Sequence, residues 1–152
     1  MAGWTNKGKY TCLDIFCRNA AEPTVFYLAL CTSAVAPTAD TNTFSDLTEI
    51  AGGNGYTAGG ISVARNATDF DVLTEDDTND RALVQIKNEV WTASGGPIPA
   101  SGNGARWAIL TDDNVTQGSR IVNFYWDLVS DRSVSSGQTL TLIDCEARIN
   151  ET

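Results

Sequence analysis

The stretch Ile121-Val122-Asn123-Phe124-Tyr125-Trp126-Asp127-Leu128-Val129 is the cleanest strand in the chain. Val122, Phe124, Trp126 and Leu128 alternate with Asn123, Tyr125 and Asp127. A two-residue period sends the first set to one face of a strand and the second to the other. Working outward, Ser135-Ser136-Gly137 turns the chain, and Thr139–Ile149 alternates again with Ile143, Cys145, Ala147 and Ile149 together. Upstream, Asp112-Asp113-Asn114 is a turn, and Arg106–Thr111 alternates so that Trp107 and Ile109 share a side. Trp91–Gly104 is a turn region holding Gly95-Gly96-Pro97 and Gly102-Asn103-Gly104.

Further toward the N-terminus, Arg81–Val90 alternates, with Ala82, Val84 and Ile86 opposed to Gln85 and Lys87, and Asp69–Asp80 reads as a solvated acidic loop. Ile61–Arg65 alternates briefly. Val25–Thr32 is continuously apolar and suits a strand buried on both faces. The long segment Ala34–Gly60 is rich in turn formers and contains Gly52-Gly53-Asn54-Gly55. One helix is expected near the start, because Tyr10, Leu13, Phe16 and Cys17 recur at three- and four-residue steps that mark one helical face. Thr5 or Asn6 caps it, Pro23 forbids its continuation, and Gly8 counts against it. The expected fold is mainly β: a single β-sandwich or jelly-roll-like domain over residues 1–152, with one short helix in the N-terminal segment 1–22.

The 152 residues suffice for one core. A net charge of −9 argues against nucleic acid or an anionic membrane as partner. No apolar run approaches the length that spans a bilayer, and the first residues lack the pattern of a secretory signal, so synthesis in a cytoplasm without export by the usual route is expected. Cys12, Cys17, Cys31 and Cys145 show no CxxC spacing and are expected to be free and mostly buried.

The chain has no histidine, which removes the Ser-His-Asp and Cys-His arrangements and His-containing zinc sites. Carboxylates in Asp69–Asp80 were candidates for glycoside hydrolysis or Ca²⁺ binding. They lie in one polar loop with little to desolvate them, and the EF-hand spacing of Gly and Glu fails. No phosphate-loop motif accompanies the glycines. No enzyme activity, cofactor or metal is therefore expected. Trp107 and Trp126 fall at core-facing strand positions, whereas Trp4 precedes the helix with no expected strand to bury it.

The segments Phe26–Thr32, Pro37-Thr38, Glu49-Ile50, Gly53–Gly60, Trp91–Gly96, Ala105–Leu110, Trp126-Asp127-Leu128 and Ser135–Leu140 together resemble a family of small phage virion structural proteins. The family is described as head decoration (cement) or tail fibre proteins. Gly55–Gly60 with Glu49 upstream is the most specific part, and the acidic stretch Asp69–Asp80 has no counterpart in the pattern. The resemblance implies virion structure without catalysis. The favoured expectation is a capsid decoration protein on the particle exterior, a homotrimer that clamps the major capsid protein, with no nucleic acid and no membrane. The alternative is a tail or fibre component that binds a host receptor or glycan through loop aromatics such as Tyr56 and Trp91. Contacts are expected from the N-terminal segment and the long loops, through Trp4, Tyr10, Tyr56 and Trp91.

Overall fold

The computed structural model describes residues 2–150. In chain order the elements are β1 (Ala2–Trp4), α1 (Asn6–Arg18), β2 (Val25–Cys31), β3 (Ile61–Ala64), β4 (Val72–Asp76), β5 (Arg81–Ile86), β6 (Glu89–Thr92), β7 (Ala105–Thr111), β8 (Val122–Arg132), β9 (Thr139–Leu142) and β10 (Cys145–Asn150). The protein is mainly β with one helix, and the strands pair antiparallel. A five-stranded sheet runs β1-β8-β7-β2-β3; a three-stranded sheet β10-β5-β4 and a two-stranded ribbon β6-β9 accompany it.

One core joins all three. Leu28, Leu30, Ala108, Leu110, Phe124 and Trp126 of the large sheet meet Ile86, Trp91, Leu140, Leu142, Cys145 and Ala147 of the smaller ones. This layering gives the sandwich-like character expected from alternating strands. The opposite face of the large sheet is also covered. There Ala29, Cys31, Trp107, Ile109 and Tyr125 pack with Phe44 and Leu47 from the long segment 32–60. Val25–Cys31 is thus apolar throughout because its sheet has a layer on each side.

Two parity breaks separate the structure from a simple alternating reading. Val122 packs with Tyr125 and Trp107, not with Phe124. Leu110 pairs with Phe124 while Thr111 pairs with Val122, so Asn123 is an extra residue that turns Val122 to the other face. Likewise Thr139–Ile149 is two strands. Asp144, at φ 54, breaks the run and sends the chain from the β6-β9 ribbon into the three-stranded sheet. Leu140, Leu142, Cys145 and Ala147 are therefore all buried, and Ile143 is 62% exposed.

The acidic stretch is also corrected. Asp69–Asp80 is largely a strand and turn: β4 and β5 form a hairpin through Asp77–Asp80, with Asp80 at φ 47. Asp76 closes the turn by accepting from Asn79 Nδ2 at 2.8 Å and Arg81 Nε at 2.7 Å. Of the cysteines, which are all free, Cys31 and Cys145 are buried but Cys12 and Cys17 are exposed, because both lie on parts of α1 turned to solvent.

Segment 32–60 is held rather than loose. Thr32 N–H donates to Thr48 O at 2.8 Å, and Ile50 N–H to Leu30 O at 3.0 Å, extending the pairing along β2. Glu49 gathers the next turn: its Oε1 accepts from Tyr56 Oη at 2.7 Å and Gly59 N–H at 2.5 Å, and its Oε2 from Gln117 Nε2 at 2.6 Å. Tyr56 Oη in turn accepts from Leu30 N–H at 2.9 Å. Gly60, at φ +82, lies where a Cβ would meet Leu28 O at 2.2 Å, so the chain passes β2 only without a side chain there. The Glu49…Gly55–Gly60 pattern is a latch that fixes this segment onto the large sheet.

Candidate interaction surface

Helix α1 starts at Thr5, which is fully buried. Its Oγ1 accepts from Gly8 N–H at 2.8 Å and donates to Val122 O at 2.5 Å, which caps the helix and ties it to β8 in one residue. Asn19 ends the helix in the left-handed conformation at φ 56. The inward side is the stripe Gly8, Thr11, Ile15 at steps of three and four; Gly8 is buried and the other two half-buried. A Cβ on Gly8 would meet Asn123 O at 2.3 Å. Gly8 is therefore the contact that lets helix and strand backbones approach.

This contact turns the apolar face of the helix outward. Tyr10, Leu13 and Phe16 are 51%, 62% and 89% exposed, and Cys17 is exposed beside them. With aromatic side chains of roughly 150–250 Å² each, the three large residues present on the order of 400 Å² of apolar surface. That equals the largest patch of an ordinary monomer, about 300–600 Å², which is often a functional one. Covering it would contribute up to about 10 kcal/mol at ~25 cal/mol per Å², before the costs of association.

The charge on α1 sets it apart. In an acidic chain the helix carries Lys7, Lys9 and Arg18 against Asp14 alone. Most cations elsewhere are paired: Arg65 with Glu22, Arg81 with Asp76, Lys87 with Asp69, Arg106 with Asp127 and Arg148 with Glu146. Arg120 stacks on Tyr27 with 3.7 Å to the ring centre and donates to Gly59 O. Among the described residues Lys7 and Lys9 make no ion pair; Lys7 Nζ lies 4.9 Å over the Tyr10 ring. Lys9, Leu13 and Phe16 fall at i, i+4 and i+7, one outward stripe with the cation at its N-terminal end.

A groove of about 800 Å³ opens between α1 and the three-stranded sheet, with Ile15, Phe26, Phe70, Leu73 and Val84 in its walls. Leu73 stands at its rim, 80% exposed. On β4, Leu73 and Glu75 point to one side; Asp71 immediately precedes the strand, and Asp77 and Asp80 follow at the turn. All four carboxylates are exposed and in no ion pair among the described residues.

Of the four residues expected to make contacts, one, Tyr10, has an exposed side chain. Tyr10 lies on the apolar stripe of α1. Tyr56 is 2% and Trp91 4% exposed, with their rings 6.2 Å apart in the core, so neither offers a stacking face. Burial pushes the Tyr56 phenol up from its usual pKa, which keeps it a proton donor to Glu49. Trp4 folds back on its own domain. It lies on β1 opposite Phe124, edge-on with 5.2 Å between ring centres, and its Nε1 donates to Arg148 O at 2.7 Å. Trp126 Nε1 donates to Glu146 O at 2.8 Å. The two indoles occupy carbonyls on the free edge of β10, an edge another strand would otherwise extend.

The remaining charged groups brace the fold. Lys87 Nζ lies 2.5 Å from Asp69 and 3.9 Å from Glu89. Glu89 is 4% exposed, and burial raises its pKa above the ordinary carboxylate value. Among the described residues no group of three or more Asp, Glu, Cys or His is arranged to hold a metal ion. No helix among them is long and apolar enough to cross a membrane. The arrangement suits non-covalent association: a rigid β domain presenting an apolar helix face ringed by cations. Sequence periodicity found that face without giving its orientation; the Gly8–Thr11–Ile15 stripe is the signal that locates the inner side. Comparison with protein-family models, with curated proteins and with solved structures finds no match to this chain.

Proposed function

We propose that the protein is a phage virion structural protein, most specifically a capsid decoration protein that assembles with itself and clamps the major capsid protein. The observation that carries this reading is the outward face of α1, where Tyr10, Leu13 and Phe16 stand exposed on a helix fixed to β8 through Thr5 and Gly8. Such a face on a rigid domain is suited to binding another protein. The resemblance in Glu49 and Gly53–Gly60 supports the virion setting, and those residues build the latch on the large sheet. The acidic balance of the chain suits the exterior of a head rather than packaged DNA. Burial of Tyr56 and Trp91 weakens the receptor-binding alternative, which drew on both as a sugar-stacking platform.

The test is co-sedimentation with empty capsids of a phage that encodes the protein. Wild type is expected to bind at a fixed stoichiometry and to raise the temperature at which the shells open. Phe16→Ser is expected to fold with stability within about 0.5 kcal/mol of wild type, as exposed substitutions do, and to lose binding. Wild-type protein that leaves shells bare at micromolar concentration would remove the decoration reading.

A further inference from the structure

We infer that the outer face of α1 seats on the β4–β5 hairpin of a second copy of this chain, head to tail, so that copies close into a ring. The inference deepens the virion reading by naming the self-partner of that surface, and it rests on that reading for the trimeric closure. Three features of the two surfaces fit each other. The helix offers Lys9, Leu13 and Phe16 in one stripe, with Lys7 and Tyr10 alongside. The hairpin offers Leu73, 80% exposed, with Glu75 on the same strand face, Asp71 just before the strand, and Asp77 and Asp80 at the turn. An apolar centre flanked by cations thus meets an apolar centre flanked by anions, and among the described residues neither set of charges has an ion-pair partner apart from Arg18, which lies 3.7 Å from Asp14. The lengths agree as well: thirteen helical residues span about 20 Å, and five strand residues about 17 Å.

The charges also choose between symmetries. Two copies joined helix to helix, antiparallel about a twofold axis, would set Lys7 and Lys9 of one against Arg18 of the other. Asp14 is half-buried and already beside its own Arg18, so no free acid on the outer face offsets that repulsion. Helix on hairpin places opposite signs together and uses two different patches, which makes the contact heterologous, the kind that gives a ring where the rotation between copies closes and a filament where it does not.

Light scattering after gel filtration reads the contact by charge reversal. Wild type is expected to be a closed oligomer. Lys7→Glu with Lys9→Glu places acids in the first turn, where a helix tolerates them, and is expected to raise the dissociation constant at least tenfold. Glu75→Lys with Asp77→Lys is expected to do the same. The fourfold variant restores opposite signs and is expected to reassemble, with matched melting curves showing that all forms are folded. If Glu75→Lys with Asp77→Lys disturbs the hairpin, Leu73→Ser replaces it as the dissociating variant. A monomeric wild type overturns the inference. So does an oligomer indifferent to both reversals, or a fourfold variant no better assembled than its parents. An oligomer that responds as expected but binds no capsid supports this contact and counts against the virion reading alone.

Discussion

At the scale of single residues, the polar groups with definite work are those that tie segments together. Tyr56 Oη accepts from the buried Leu30 N–H and donates to the Glu49 carboxylate, which also holds Gly59 N–H and Gln117 Nε2. Tyr56→Phe strands the Leu30 amide and is expected to lower unfolding free energy by about 1–3 kcal/mol in urea titrations, the cost of an orphaned buried group. Asp127 gives a pH signature. The Arg106 guanidinium bonds both its oxygens, at 2.7 and 3.1 Å, and this lowers the carboxyl pKa to about 2, below the 3.8 of an unperturbed aspartate. A depressed folded-state value stabilises the fold above the unfolded pKa and loses that contribution as pH falls through the folded one. Asp127→Asn is therefore expected to be less stable than wild type at pH 7, with the difference shrinking between pH 4 and pH 2 in urea midpoints taken across that range. Glu49 and Tyr56 were legible as a motif in the sequence, but their purpose was not, because a carboxylate that collects donors from residues 56, 59 and 117 leaves no local spacing.

At the scale of elements, the strands were readable wherever one period ran unbroken, as in Val25–Cys31 and the central part of β8. They misled where a single residue shifts parity. Asn123 and Asp144 each reverse which side chains face inward, and neither a bulge nor one positive φ alters composition enough to be seen. The helix shows a different limit. Its strongest apolar stripe, Tyr10–Leu13–Phe16–Cys17, follows the rule for an inward face, yet close approach at Gly8 decides the orientation. Gly8→Ala puts a Cβ 2.3 Å from Asn123 O. It should cost about 1–3 kcal/mol as an overpacking change, despite alanine being the better helix former. The accompanying observable is faster amide exchange across Asn6–Arg18 in the variant, with β7 and β8 as protected as in wild type. A gain in stability would mean that helix propensity outweighs the contact with β8.

At the scale of the molecule, one five-stranded sheet covered on both sides gives the chain a firm body, and the proposed interaction surface lies on the exposed apolar residues of α1 and the β4–β5 hairpin. Thiol reactivity reports that division. Cys12 and Cys17 lie exposed on the helix, Cys12 at the groove wall where partial burial lifts its pKa, while burial raises the Cys145 pKa to about 12 and lifts that of Cys31 as well. Native protein should take up two alkylating groups readily and denatured protein four, counted by intact mass; four in the native state would mean the body opens freely. The proposed exterior position, self-assembly and clamp on the shell meet in one experiment, cryo-microscopy of intact virions of a phage that encodes this chain. Regular density over the head is expected, fitted by rings of this domain, with Phe16 and Leu73 of adjacent copies covered and part of each ring resting on capsid subunits. Virions whose heads lack that density, with the protein only at the tail tip or absent from the particle, would contradict it.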